Sequence, residues 1–276
     1  MLARERRRRR LVPAPVAVAA AVARGRRAWR DPERREAARA AIDAVVGPVA
    51  ERDALARQHL VEHAVREALI WRPWQFVGAR LEGREHVERA LASGRGVIAS
   101  LVHSGPFPGL AASMREVTDR THAVVGGWMR IPSTDESTER RRLRWLANFE
   151  EARVPIVEAP GSFPVLDELL RAGALVVLAF DAPGPDATVF LGRPIALASG
   201  TARLAVETGA LVLPVWRARD RWRPYTVAAP PIDPRDYAGW RELQDALAAV
   251  HTRWIRSRPA ALENPLPTRL VAADRR

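Results

Sequence analysis

The sequence contains no cysteine, which excludes disulfide scaffolds, thiolate zinc sites, iron–sulfur clusters and cysteine nucleophiles together. Lysine is absent too: all 44 basic residues are arginine. Without a primary amine side chain there is no phosphate-loop lysine and no Schiff-base chemistry, pyridoxal phosphate included. No Gly-x-Ser-x-Gly elbow of the serine hydrolases occurs. The apolar run 11–23, at 13 residues, is shorter than the roughly 20 needed to cross a bilayer. What remains is a chain of 276 residues, 47% hydrophobic, enough for the core of one large domain or two small ones.

The formal charge of +12 is unevenly placed. Residues 1–30 hold ten arginines and one acid, so +9 of that charge belongs to an N-terminal arm. The body is nearly balanced and carries no recognised nucleic-acid module, so no nucleic-acid partner is expected. Three readings fit the arm. Its Arg-rich start, apolar stretch and small residues near Ala21 and Ala23 fit a signal peptide. The same features fit an interfacial anchor, with arginines on anionic headgroups and the apolar stretch in the acyl boundary. The third reading is a disordered start. Several of the nine tryptophans, among them Trp29, Trp71, Trp74, Trp216, Trp222 and Trp254, stand beside arginine or proline. That pairing suits a membrane interface as well as a core.

Asp31-Pro32-Glu33 starts a helix that Gly47-Pro48 stops, and apolar residues at helical spacing carry a second one from about Glu51 to Trp71. Short apolar runs then alternate with helical segments. The expected strands are 97–102, 122–125, 154–157, 175–180, 188–191, 211–216 and 225–229; the expected helices are 109–117, 136–151, 163–171, 199–207 and 240–256. This pattern predicts a single α/β domain with a mixed, largely parallel central sheet flanked by helices, behind an N-terminal helical extension. The boundaries are an arm at 1–30, the extension at 31–75, the α/β domain at 76–258 and a tail at 259–276.

His103, in Ser100-Leu-Val-His103-Ser-Gly-Pro-Phe-Pro108-Gly109, stands where an expected strand hands over to a helix. Ligands collect at the carboxyl ends of strands in such sheets, and an imidazole there can serve as a general base near neutral pH. A turn histidine with satisfied hydrogen bonds is the plain alternative. His59 and His63 share a helix face at a spacing that can bind zinc, but no third ligand is evident, so no metal is assigned. His86, His122 and His251 are isolated and receive no function.

Three further segments accompany His103: the strand that ends at Asp181 before Ala182-Pro-Gly-Pro185, the turn Phe190-Leu-Gly192-Arg193-Pro194, and Ser199-Gly200-Thr201 leading to Thr208-Gly-Ala-Leu-Val-Leu-Pro214. In this order they resemble the lysophospholipid acyltransferase superfamily, in its branch of lipid A lauroyl acyltransferases and phosphatidylinositol mannoside acyltransferases. The resemblance implies transfer of a fatty acyl group from a thioester, acyl-CoA or acyl carrier protein, to a hydroxyl of a membrane lipid or glycolipid. It implies no cofactor beyond that co-substrate, and a peripheral position at the cytoplasmic face of the cell membrane.

The family's core motif is histidine, four residues, then an acid that orients the imidazole. His103 and Gly105 match; Pro108 stands where the acid belongs. Three possibilities stay open: Glu158 or Asp181 replaces the acid in space, a backbone carbonyl orients His103, or the protein is a catalytically silent lipid- or acyl-binding homologue. The backbone amides after His103, at Ser104 and Gly105, are expected to hold the oxyanion, with an arginine as a further candidate. Arg130 and Arg193 are candidates for a phosphate or pantetheine contact, as are Gly192 beside Arg193 and the amides of Gly200 and Thr201 at a helix start.

Overall fold

A computed structural model of the chain describes residues 7–129 and 131–263. Its N-terminal unit includes the helices α1 (Ala14–Ala28), α2 (Pro32–Val46) and α3 (Arg52–Ile70). The alanine-rich sequence of α1 has high helix propensity, and its prolines sit at the start, where no intrahelical N–H is needed. One face buries Ala14, Val18, Ala21 and Gly25. Gly25 touches α3 so closely that a Cβ there would lie 2.5 Å from the Cα of Val61. From Ala14 onward the apolar run is thus a packed helix. Leu11, Val12 and Val16 nonetheless remain exposed. In α2, the Asp31 carboxylate accepts from the amides of Glu33 and Arg34, the capping that the sequence indicates.

The remaining chain runs β1 (Leu81–Glu82), α4 (Arg84–Ala92), β2 (Val97–Leu101), α5 (Leu110–Arg115), β3 (Thr121–Gly126), α6 (Glu136–Ala152), β4 (Ile156–Ala159), α7 (Phe163–Arg171), β5 (Leu175–Ala179), β6 (Pro183–Phe190), β7 (Arg193–Leu197), α8 (Gly200–Thr208), β8 (Leu211–Asp220), β9 (Arg223–Ala228) and α9 (Trp240–Ser257). Seven strands form one sheet in the order β1-β9-β8-β2-β5-β3-β4, and β6 with β7 makes a separate hairpin. Among the named strands of the sheet, within the described residues, only the β8–β9 pairing is antiparallel. The expected mixed, largely parallel α/β sheet is therefore what the chain forms. The expected strand at 188–191 proves to be the second half of the longer hairpin arm β6, which Pro183 and Pro185 disguise in the sequence.

Both sheet faces are covered. On one, Ile98, Val176, Phe180 and Val212 pack against Leu166 and Leu170 of α7, Ala202 and Ala205 of α8, and Leu243, Leu247 and Ile255 of α9. On the other, Val97, Ala99, Val177 and Leu213 pack against Val87 of α4 and against Leu110 and Met114 of α5. The three-helix unit joins this second side through Phe76 and Ala112. All five residues of β2 are buried, as expected for a central parallel strand covered on both faces. The strand is consequently a rigid base for the loop that follows it.

Candidate active site

The loop after β2 carries His103, and the loop after β5 carries Asp181. These strands are parallel neighbours with Leu101 opposite Ala179, so residues two positions beyond each register pair stand level. The amide of Phe180 extends the pairing by donating to the Leu101 carbonyl at 2.7 Å. The consequence is a two-point contact. His103 Nδ1 lies 2.7 Å from Asp181 Oδ1, and the His103 backbone N–H donates to Asp181 Oδ2 at 3.1 Å.

A carboxylate accepts only, so the proton of the neutral imidazole resides on Nδ1 and the lone pair on Nε2. Asp181 is fully buried whereas 29% of the His103 side chain is exposed. One partner is thereby shielded from water and the other remains accessible. Phe107 meets the imidazole edge-on at 4.6 Å between centroids and itself leans on Trp145 of α6 at 4.9 Å. These contacts limit rotation of the ring.

The loop is held from its other side by residues 259–263. The Glu263 N–H donates to the His103 carbonyl at 2.7 Å and the Gly105 N–H to the Ala261 carbonyl at 2.8 Å, with an antiparallel bridge between Ser104 and Leu262. Gly105 has φ +60°, and a Cβ there would lie 2.5 Å from the Arg217 carbonyl oxygen, so only glycine fits. The Ser104 amide donates to the Val102 carbonyl at 2.7 Å. Ser104 and Gly105 therefore spend both amides on shaping the loop, which corrects the expectation that these two groups hold an oxyanion.

The other expected site residues are distributed as follows. Glu158 lies on β4, an edge strand three spacings from β2, or about 14 Å across the sheet; the imidazole's carboxylate is Asp181. A backbone carbonyl likewise does not take the Nδ1 position. Gly192, at φ +82°, forms the β6–β7 turn, and the Arg193 guanidinium reaches the Asp43 carbonyl of α2 at 3.5 Å. Gly200 and Thr201 open α8. That helix start is joined to the segment after Asp181 by the Ala198 N–H, which donates to the Ala182 carbonyl at 2.9 Å. Ser199 and Arg203 engage the Asp186 carboxylate there, so an acid of the hairpin already occupies the neighbourhood. Arg130 lies outside the described residues. His59 bonds the Ala260 carbonyl through Nδ1 at 3.1 Å, and His63 accepts from Arg66 at 2.7 Å.

Sequence reasoning missed His251. It is fully buried on α9, with Nε2 3.0 Å from Ser100 Oγ of β2 and Nδ1 accepting from the Trp216 indole at 3.2 Å. Its ring lies 5.0 Å from that of Phe180, the residue before Asp181. Burial pushes it down to about 4, so it is neutral under physiological conditions and serves as a hydrogen-bonded support under the site.

With this geometry in place, comparison with known proteins decides the family. The profile of the bacterial lipid A biosynthesis acyltransferase family matches residues 9–262. The chain belongs to this family. Among curated proteins, the phosphatidylinositol mannoside acyltransferase of Mycobacterium tuberculosis (strain H37Rv) is 33% identical over 137 residues, a match covering 48% of this chain and 42% of that protein. The chain thus matches less than half the length of this relative. Among solved structures, the 1-acyl-sn-glycerophosphate acyltransferase PlsC of Thermotoga maritima aligns over 78% of this chain and 86% of its own, at 17% identity and a TM-score of 0.40. Members of the lipid A biosynthesis acyltransferase family are the setting in which the His103–Asp181 pair is to be understood.

Proposed function

We propose that the protein transfers a fatty acyl group from acyl-CoA or acyl carrier protein to a hydroxyl of a membrane lipid or glycolipid, with His103 as general base and Asp181 as the acid that orients it. The carrying observation is the 2.7 Å contact between His103 Nδ1 and Asp181 Oδ1. Nε2 takes the proton of the acceptor hydroxyl as its oxygen attacks the thioester carbonyl. The C–S bond then breaks, and the departing thiolate recovers the proton from the imidazolium. Asp181 stabilises the cation between these steps. Incubation of the purified protein with radiolabelled acyl-CoA, or labelled acyl carrier protein, and a membrane lipid extract is expected to yield labelled lipid, with His103→Ala as background. Absence of labelled lipid with both donors favours the silent binding homologue instead.

The acceptor resides in a membrane, and the N-terminal surface suits one. No helix among the described residues is long and apolar enough to cross a bilayer. The exposed Leu11, Val12 and Val16 instead lie next to Arg7 and Arg8, also exposed, so this end rests on the cytoplasmic leaflet with its arginines at anionic headgroups. Each such cation contributes about 1 kcal/mol. Replacing Arg7 and Arg8 by glutamine is expected to weaken binding to phosphatidylglycerol vesicles about 10- to 30-fold at low salt, measured by co-sedimentation. Unchanged sedimentation would move the membrane contact to another face.

A further inference from the structure

A cationic subsite borders the His103 loop on the side held by the C-terminal segment. A single carboxylate oxygen, Glu263 Oε1, lies 3.1 Å from the guanidinium of Arg141 on α6 and 3.6 Å from that of Arg66 on α3. Glu263 is also the residue whose N–H holds the His103 carbonyl. Arg66 is 3% exposed; it donates to His63 Nδ1, and its buried Nε has no hydrogen-bond partner among the described residues. Arg141, by contrast, has more than half its side chain in solvent, which gives the subsite an approach from outside. Trp145, one turn further along α6, leans on Phe107 beside the imidazole.

These contacts leave the subsite undersaturated. A guanidinium this buried needs a close counter-charge and partners for its remaining donors. One carboxylate oxygen shared between two cations, at 3.6 Å from the buried one, supplies neither a two-pronged fork nor a partner for Nε. A phosphate ester carries one or two charges on two or three strongly accepting oxygens and suits paired arginines better. Glu67, an acid of α3 that also meets α6, is committed to Arg144 at 3.2 Å.

We propose that Arg66 and Arg141 form a phosphate-binding subsite for the substrate, with Glu263 as the resident counter-ion that an incoming phosphate displaces. The inference rests on the acyl-transfer reading for its ligand, a phosphate of the acyl carrier or of the acceptor headgroup. Binding is measured on the full chain, by calorimetry for coenzyme A and by co-sedimentation for phosphatidylcholine vesicles with and without phosphatidylinositol. Glu263→Gln removes the competing charge and is expected to tighten binding about tenfold, and Arg141→Gln to weaken it about tenfold, each near the value of one charge-assisted hydrogen bond. The charge-matched control Glu168→Gln, on the exposed face of α7, leaves affinity unchanged.

Tightening toward coenzyme A assigns the subsite to the donor; tightening toward phosphatidylinositol vesicles alone assigns it to the acceptor. Unchanged or weaker binding of both probes by Glu263→Gln, or wild-type affinity in Arg141→Gln, overturns the proposal. The readout needs no turnover. A protein that shows the Glu263→Gln effect but transfers no acyl group keeps the subsite and loses the reaction, whereas transfer without the effect does the reverse.

Discussion

Exchange of Asp181 for asparagine is expected to lower the rate of acyl transfer about 10³- to 10⁴-fold, with kcat carrying the loss and KM little changed. The carboxylate offers two acceptors, one to the Nδ1 proton and one to the backbone N–H of His103. An asparagine of the same shape satisfies one of them with its carbonyl and presents an NH2 to the other. When the NH2 faces the ring, Nδ1 must accept, the proton moves to Nε2, and the base is lost in its useful tautomer. When the carbonyl faces the ring, the tautomer survives, but the neutral amide no longer stabilises the imidazolium. Both outcomes act on the transition state rather than on substrate binding, hence the division between kcat and KM. His103→Ala removes the base itself and is expected to leave only background transfer. A kcat within tenfold of wild type in Asp181→Asn would show that the imidazole works without this carboxylate.

That pairing also marks where reading the sequence reaches its end. The strands before His103 and Asp181 are both legible as short apolar runs, and so is the strand before Glu158. Choosing between the two acids requires knowing that β5 lies beside β2 while β4 lies at the sheet edge. Strand order follows from crossovers that no local pattern encodes. The run at 11–23 is legible as apolar, yet the spacing of Ala14, Val18, Ala21 and Gly25 that packs α1 on α3 looks unremarkable among so many alanines. Residues 259–263 carry no periodicity at all. Their role in clamping the His103 loop comes from backbone bonds to Gly105 and His103, which any sequence could make. His251 looks isolated in the sequence because its partners, Ser100 and Trp216, are brought to it only by the packing of α9 on the sheet.

The buried histidines give the second large effect, cooperative loss of the fold in mild acid. Burial pushes both His59 and His251 down to about 4, against an ordinary value near 6.5. Both are neutral in the folded protein, and both protonate freely once unfolded. Above about pH 6.5 neither state binds the proton and their contribution is fully present. As pH falls from there toward 4 the unfolded chain takes up protons that the folded chain refuses, so stability declines through that window. Each residue contributes about 3 kcal/mol to the decline, and the pair together rivals the roughly 5–15 kcal/mol that holds a typical domain. Urea unfolding followed at a series of pH values is expected to show the midpoint dropping steeply between pH 6.5 and 4, with at least two protons taken up at the steepest point. A midpoint that holds constant down to pH 4.5 would mean that these rings are protonated in place. The functional consequence is local as well as global. His251 supports Ser100 under the catalytic loop, and His59 bonds Ala260 of the segment that clamps it. Acid therefore unseats the His103 loop through the same two rings that destabilise the fold.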